Sequence, residues 1–265
     1  MNEQQRAILY RYKLARSRED YVAAVQLAAT GVARVRAVDI RRQLGFNAAS
    51  VSIALPKLAE EGYLARETGC RDIRLTPQGE TLANAVLARR RFFTARLTAA
   101  GVDEANALNE AHLLEHVLPD ESFALLSRSG RLTGPASETP PPCAPDSLPL
   151  PAEEILAVIA GAWPRLVTAA QIAAAANYTK PMVSLTLSDL QGMDLLIFEP
   201  HHGVRPTERG LARGQWVLCK EQAIRAALAS AGIDGEAGRL AAMAMQHLLS
   251  DDSWLRLARE SAARA

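Results

Sequence analysis

Residues 35–64 have the sequence VRAVDIRRQLGFNAASVSIALPKLAEEGYL, which predicts two helices joined by a tight turn. Apolar residues recur at helical spacing in 35–44 and again in 48–61, and Gly45, Phe46 and Asn47 lie between them. Two short helices joined in this way form a helix-turn-helix. The same spacing predicts an earlier helix at 19–30, which ends at Gly31.

The residues after this motif predict a wing and then a long helix. Residues 66–74 place Gly69 between two short extended pieces, which is typical of a β-hairpin. Thr76 and Pro77 predict the start of a helix that runs to about Ala100. Proline is favoured in the first helical position, because the N–H group that it lacks would have no partner there. We therefore predict a winged helix followed by a helical region.

Residues 107–123, ALNEAHLLEHVLPDESF, contain a candidate metal-binding triplet. His112, Glu115 and His116 have the spacing i, i+3, i+4, which places them on one face of a helix, one turn apart. Two imidazoles and a carboxylate suit a first-row divalent ion, with a fourth ligand from elsewhere in the chain. The alternative is a solvated helix face that happens to contain these residue types.

Composition restricts the class of protein. The chain has 265 residues, 49% of them hydrophobic and only 5% aromatic, which favours two mainly helical domains. No segment has the apolar length of a membrane span or a signal peptide, so we expect a cytoplasmic protein with no membrane partner, its three cysteines reduced. No motif of nucleophilic or phosphate-transfer catalysis is present, which argues against an enzyme.

The net charge of +1 gives no strongly basic footprint, but the cations are unevenly distributed. Residues 1–18 contain five Lys or Arg residues against one Glu, and form a basic arm that either contacts phosphates or is simply solvated. Residues 129–152 are rich in Pro and Ser and predict an extended linker.

Residues 153–259 repeat the sequence of residues 19–128. VSIALPKLAEEGYL at 51–64 matches VSLTLSDLQGMDLL at 183–196, and EHVLPDES at 115–122 matches QHLLSDDS at 246–253. The matches keep the same order along both segments, and each copy is too long to be one turn of a solenoid. We predict a tandem duplication with a first copy at 19–128, divided at 76/77, and a second copy at 153–265, divided at 207/208.

The first copy resembles the diphtheria toxin repressor and manganese transport regulator family of metal-responsive transcription factors. The resemblance covers nearly the whole of 19–128 and depends on E-D-Y at 19, D-I-x-x-x-L-G-F at 39, L-T-x-x-G at 75 and E-A-H-x-x-E-H-V-L-x-D-E at 110. It implies a mainly α fold with two tandem winged helix-turn-helix domains, each followed by a helical metal-binding or dimerisation region. It also implies a homodimer, or an intramolecular pseudo-dimer of the two copies.

The resemblance implies a set of metal-ligand positions. In the first copy these positions hold Asp20, Ala23, Arg90, His112, Glu115 and His116. In the second copy they hold Glu154, Ala157, Glu221, Met243, Gln246 and His247, so we expect that copy to be metal-free. The implied cofactor is a divalent transition metal, Mn, Fe or Zn, bound by Asp20, His112, Glu115 and His116.

Arg90 departs from the pattern of the family and leaves two alternatives. A guanidinium stays protonated, so Arg90 at the site would pair with Asp20 or Glu115 and replace the metal. Alternatively, Arg90 turns outward with Arg89 and Arg91, leaving the four ligands for an ion.

The resemblance also implies double-stranded DNA as partner, contacted by the start of each recognition helix. Phosphate contacts are expected from Ser52, Lys57, Lys180 and Ser184, and base contacts from Asn47, Ser50 and Thr179. The predicted function is a sequence-specific transcriptional regulator, a repressor, that responds to metal through the first copy. The alternatives are a metal-independent regulator, in which Arg90 replaces the ion, and a winged-helix module for protein contacts.

Overall fold

The computed structural model describes residues 17–65, 72–134, 148–199 and 203–263. Within these ranges the chain is mainly helical, with one two-stranded sheet, as the sequence predicts. Backbone contacts divide it into a first unit, residues 17–99 with 103–123, and a second unit, residues 100–102 with 124–263. No helix in the described ranges has the length and apolarity needed to cross a membrane.

The first unit contains the predicted helix-turn-helix and the helices that follow it. Its helices are α1 Ser17–Gly31, α2 Ala37–Leu44, α3 Ala48–Glu60, α4 Pro77–Ala99, α5 Glu104–Leu114 and α6 Asp120–Ser129, the last of which ends in the second unit. Gly45 ends α2 with φ 66°, a left-handed conformation that glycine adopts without strain. Asn47 then caps α3, its side chain accepting a hydrogen bond from the Ser50 N–H at 2.8 Å.

Apolar side chains from α1, α2 and α3 form the core of the first winged helix. Tyr21, Val25, Ile40, Val51 and Leu58 are all at most 4% exposed. An antiparallel bridge between Leu64 and Leu75 forms the base of the predicted wing, whose residues 66–71 lie outside the described ranges.

The second unit has its own winged helix and its own three following helices. Its elements are α7 Leu150–Ala162, α8 Ala169–Ala176, α9 Lys180–Gly192, β1 Leu196–Glu199, β2 Gly203–Pro206, α10 Glu208–Ser230, α11 Gly235–Leu248 and α12 Asp251–Ala263. Strands β1 and β2 pair antiparallel, with Leu196 opposite Pro206, and form the wing. The core of this winged helix is apolar and includes Ile155, Ile172, Val183 and Leu187.

The helices of the second unit follow the order of those in the first, and three of the six pairs have equal lengths. Helices α2 and α8 both have 8 residues, α3 and α9 both have 13, and α4 and α10 both have 23. The start of each 23-residue helix approaches the preceding backbone closely. At Gly79, an added Cβ atom would lie 2.1 Å from the carbonyl oxygen of Tyr63. At Gly210, an added Cβ atom would lie 1.7 Å from the carbonyl oxygen of Leu195, so both positions require glycine.

The segment predicted as a linker differs from an extended chain at both ends. Helix α6 continues to Ser129, and α7 begins at Leu150. Between these helices, Leu132 and Thr133 are buried. Prolines at 149 and 151 are compatible with this helix start, because the first helical N–H groups have no intrahelical acceptor. Residues 135–147 and residues 1–16 of the basic arm 1–18 lie outside the described ranges, as do Cys70 and Cys143, whereas Cys219 is half-buried and forms no disulfide within the described ranges.

Candidate functional site

Four potential metal ligands meet in the first unit. Asp20 from α1, His112 from α5, and Glu115 and His116 after α5 each provide one ligand atom, and the four atoms lie within 4.8 Å of one another. Asp20, Glu115 and His116 are buried, and the side chain of His112 is 30% exposed. The structure therefore brings together the four ligands implied by the sequence.

The expectation that one helix holds the whole triplet is wrong. Helix α5 ends at Leu114, Glu115 is its C-cap, and His116 lies in the turn before α6. Pro119 explains the break, because proline has no N–H for a helical hydrogen bond and disfavours helical geometry in the residue before it. The Glu115 N–H still bonds to the Ala111 oxygen at 3.0 Å, so the one-turn spacing is kept.

An ion-pair network outside the cluster orients His116. Its Nδ1–H donates to Glu19 at 2.6 Å, which leaves Nε2 3.1 Å from Asp20 and 3.3 Å from Glu115. Glu19 also accepts from the buried guanidinium of Arg89, which donates in addition to Asp120. A carboxylate that fixes one ring nitrogen sets the direction in which the other can ligate a metal. Glu19, Arg89 and Asp120 were not predicted from the sequence as supporting residues.

Arg90 lies at the cluster and does not turn outward with its neighbours. Its Nε and Nη2 donate to the two carboxylate oxygens of Glu115 at 2.6 and 2.7 Å, and Nη2 lies 2.8 Å from Nδ1 of His112. Arg89 is buried in the network around Glu19, and only Arg91 of the three arginines is exposed. The structure thus favours the first of the two arrangements considered for Arg90.

The charges of the cluster shift the pKa values of Glu115 and His116 in opposite directions. Burial alone raises the pKa of Glu115, but hydrogen bonds from Arg90 and both imidazoles outweigh it and hold that pKa well below its usual range. Burial alone lowers the pKa of His116, but its three carboxylate partners outweigh it and raise that pKa to about 10. An imidazolium cannot ligate a metal ion, so His116 must lose its Nε2 proton to bind one.

The predicted DNA contacts lie on or just before α3 and α9, mostly near the starts of these helices, and Lys57 lies in the last turn of α3. All seven are exposed: Asn47, Ser50, Ser52, Lys57, Thr179, Lys180 and Ser184. The side-chain Oδ1 of Asn47 already caps α3, which leaves the side-chain amide N–H groups for a base edge. Thr179 precedes α9 and makes no side-chain cap hydrogen bond.

Two exposed apolar residues of these helices were not predicted from the sequence as DNA contacts. Ile53 on α3 and Leu185 on α9 follow the matching Val-Ser pairs and are 74% and 70% exposed. The repeat alignment places them at the same position, and that correspondence was the available signal. On a helix in the major groove, such side chains would contact thymine methyl groups.

A comparison with known proteins identifies the family. The HTH-type transcriptional regulator MntR of Lysinibacillus sphaericus (strain C3-41) is 32% identical to this chain over 102 residues, which are 38% of the chain and 73% of that protein. The chain belongs to the MntR family. The HTH-type transcriptional regulator MntR of Geobacillus thermodenitrificans (strain NG80-2) is 28% identical over 116 residues, 44% of this chain and 79% of that protein. No protein-family model matches the sequence.

Membership of the MntR family confirms the resemblance drawn from the sequence motifs. The chain is therefore a transcriptional regulator with a DNA-binding helix-turn-helix, and its first unit contains a group of residues able to hold a metal. Each alignment spans less than half of this MntR-family chain, about the length of one predicted copy.

The donor set of the cluster fits a divalent transition metal. Ligand atoms at about 2.0–2.2 Å from an ion lie at most about 4.4 Å apart, so atoms already within 4.8 Å need only a small contraction. Two imidazoles and two carboxylates accept Mn, Fe or Zn. The hydrogen bonds of Arg90 occupy Glu115 and must break before that carboxylate can ligate an ion.

The second unit of this MntR-family chain keeps the supporting network but not the ligands. His247 Nδ1–H donates to Glu153 at 2.8 Å, Arg213 bridges Glu153 and Asp251, and Lys220 donates to Asp251 at 2.6 Å. Burial alone raises the pKa of Glu153, but these basic partners outweigh it and lower that pKa to about 2. In the described ranges no second group of three metal-ligating His, Cys, Asp or Glu side chains forms.

Proposed function

We propose that this chain is a metal-dependent transcriptional repressor whose first copy binds one divalent transition metal, Mn, Fe or Zn. The proposed ligands are Asp20, His112, Glu115 and His116. The proposal is carried by their meeting in the same compact unit as a winged helix. A divalent ion there would supply a fixed double positive charge that links α1 to the end of α5.

The charges around the cluster support this proposal. Arg90 and protonated His116 are two positive charges that balance the carboxylates of Asp20 and Glu115. If Arg90 moves away and His116 loses a proton, the site loses about two positive charges. A divalent ion restores the two positive charges. Without the ion, the two buried carboxylates would face each other with no positive charge between them, at high energetic cost.

Helix α1 provides the physical connection from the metal ligands to the DNA-reading surface. Asp20 on α1 faces the cluster, while the next residue, Tyr21, and then Val25 pack in the core that holds Ile40 and Val51. Ligation that fixes Asp20 against α5 therefore restricts the movement of the winged helix relative to α4 and α5. We propose that this restriction sets the recognition helix in the DNA-binding orientation.

We further propose that the chain is a tandem duplication whose two recognition helices read different half-sites. The matched order of the helices in the two units, and the equal lengths of three of the six pairs, support the duplication. Asn47 and Thr179, and likewise Ala48 and Lys180, occupy matching positions but differ in chemistry, so the two helices favour different bases. An intramolecular pseudo-dimer would then bind an asymmetric operator, whereas a homodimer of chains imposes a palindrome.

A second candidate is a regulator that does not need metal, with Arg90 as a permanent internal cation. The bidentate contact of Arg90 with Glu115 specifically favours it. In that case α1 and α5 stay linked without an ion, and DNA binding does not respond to metal.

Metal analysis together with DNA binding tests these candidates. Metal content is measured after native purification and after dialysis against Mn²⁺, for the parent and for the His116→Ala variant. We expect about one ion per parent chain and none in the variant, and DNA binding by the parent that weakens on chelation. DNA binding unchanged by chelation supports the Arg90 candidate instead. Absence of DNA binding at low salt, with and without Mn²⁺, indicates a winged-helix module for protein contacts.

A further inference from the structure

The second unit contains a cavity at the positions that match the metal cluster of the first. It has a volume of about 700 Å³, and Glu154, Glu221, Met243 and Gln246 are among the residues that line it. By the repeat alignment these residues correspond to Asp20, Arg90, His112 and Glu115. Small-molecule sites usually have about 300–1,000 Å³, so the volume suits an organic ligand rather than a single ion.

Gln246 presents a buried acceptor that has no partner within the described ranges. The residue is 3% exposed, and its Oε1 accepts no hydrogen bond from any described residue. Its Nε2 lies 3.3 Å from Nε2 of His247, whose Nδ1–H donates to Glu153. The carbonyl oxygen of Gln246 is the group left for a ligand donor.

The other buried polar groups of the cavity are also acceptors. Glu154 is 7% exposed and accepts a hydrogen bond from the hydroxyl of Tyr178. Glu221 is half-buried, and burial raises the pKa of its carboxyl despite the opposing effect of nearby basic groups. Buried acceptors with net negative charge are stabilised by a ligand that brings both N–H donors and positive charge.

The basic side chains of the lining are placed less favourably for ligand binding. Arg239 donates twice to Glu236, at 2.6 and 2.8 Å, and its Nη1 lies 3.0 Å from the sulfur of Met243. Arg165 is exposed to solvent. The cationic groups are thus engaged or at the surface, while Glu154 and Gln246 are buried and Glu221 is half-buried.

From these contacts we propose that the cavity binds a small organic molecule with a primary ammonium group and an apolar body. The ammonium group donates to Gln246 Oε1 and to the carboxylates of Glu154 and Glu221. The apolar body packs on Val158, Val217, Leu218 and Leu240, which also line the cavity. This site is separate from the metal cluster, and its occupancy does not depend on the function proposed above.

A metal ion suits this cavity less well than an organic ammonium ion. The Met243 sulfur is already contacted by the Arg239 guanidinium, which would repel a divalent ion bound there. Gln246 has replaced the carboxylate of the first copy, which removes a charged ligand. Compared with a divalent metal ion, an organic ammonium ion with an apolar body needs fewer negatively charged ligands and fills more of the cavity.

Calorimetric titration of the full-length protein tests the proposal. The probes are propylammonium, cyclohexylmethylammonium and 2-phenylethylammonium, each paired with the alcohol of the same skeleton, in a buffer with EDTA. At least one ammonium probe is expected to bind one site with Kd below about 1 mM and at least tenfold more tightly than its alcohol. If none of the three is preferred over its alcohol, the proposal is wrong.

Two variants locate the binding to the cavity. Gln246→Leu removes the unpaired oxygen and Glu221→Gln removes a half-buried charge, so neither is expected to unfold the protein. Each should weaken ammonium binding at least tenfold, whereas the exposed controls Gln222→Leu and Glu208→Gln should leave it within twofold. Equal binding by all four variants, or Mn²⁺ binding that Glu221→Gln abolishes, would overturn the assignment.

Discussion

Replacement of Arg90 by methionine should raise the metal affinity of the first copy and lower its stability without metal. Methionine is similar in length but has no charge and adds no hard ligand. The change removes both hydrogen bonds to Glu115, whose side chain is fully buried, while the Arg90 side chain is 21% exposed. An ion that binds Glu115 no longer has to displace a guanidinium.

The magnitude follows from the contact of Arg90 with Glu115. Loss of one partner of a buried ion pair costs about 3–5 kcal/mol, and the partial exposure of Arg90 places this pair near about 3 kcal/mol. At about 1.4 kcal/mol per factor of ten, metal affinity should rise up to about 100-fold. The same loss should lower the melting temperature of the metal-free protein by about 10 °C, because buried Glu115 loses its charged partner.

Competition with a fluorescent indicator for Mn²⁺ measures the affinity, and thermal unfolding with and without Mn²⁺ measures the stability. Arg91→Met is the matched control, because Arg91 is the exposed neighbour on the same helix. The reasoning is refuted if Arg90→Met and Arg91→Met bind Mn²⁺ with the same affinity and unfold at the same temperature as the parent.

Three further outcomes are expected. His116→Ala should reduce Mn²⁺ binding at least 100-fold in the same competition assay, since it removes a ligand; retained stoichiometry would exclude His116 as one. Lys180→Ala should weaken DNA binding measured by fluorescence anisotropy more than Ser52→Ala, because only the former removes a charge near the phosphates; equal losses would contradict this order. Glu153 should add to the free energy of unfolding, measured with denaturant, because its pKa is depressed in the folded protein. This contribution should be fully present above about pH 4.5 and lost as pH falls towards about 2. Glu153→Gln should reduce this acid dependence and the exposed control Glu208→Gln should not; parallel pH curves for all three proteins would argue against the assignment.

The helix-turn-helix could be predicted from sequence because its signals are local. The apolar period of 3.6 residues places Val51 and Leu58 on one buried face, and Gly45 supplies the left-handed turn that ends α2. The long helix could be located for the same reason, since Pro77 marks its start and Gly101 follows its end.

The interior of the candidate site could be predicted only in part. The ligand types were recognisable from the motif, but the end of α5 at Leu114, before Glu115 and His116, was not predicted. The choice between Arg89 and Arg90 depends on the rotation of α4, since adjacent helical residues point about 100° apart. That rotation is set by packing between distant segments, as in the contact of Glu19 with His116, which no local pattern specifies.

Selection of bound DNA from a random pool, with Mn²⁺ and with EDTA, tests the central claim most directly. A metal-dependent regulator with two different recognition helices should enrich one asymmetric sequence in the presence of Mn²⁺ and none with EDTA. Equal enrichment of one sequence under both conditions would contradict metal dependence and support Arg90 as the permanent cation. A strict palindrome bound by two chains would contradict the intramolecular pseudo-dimer.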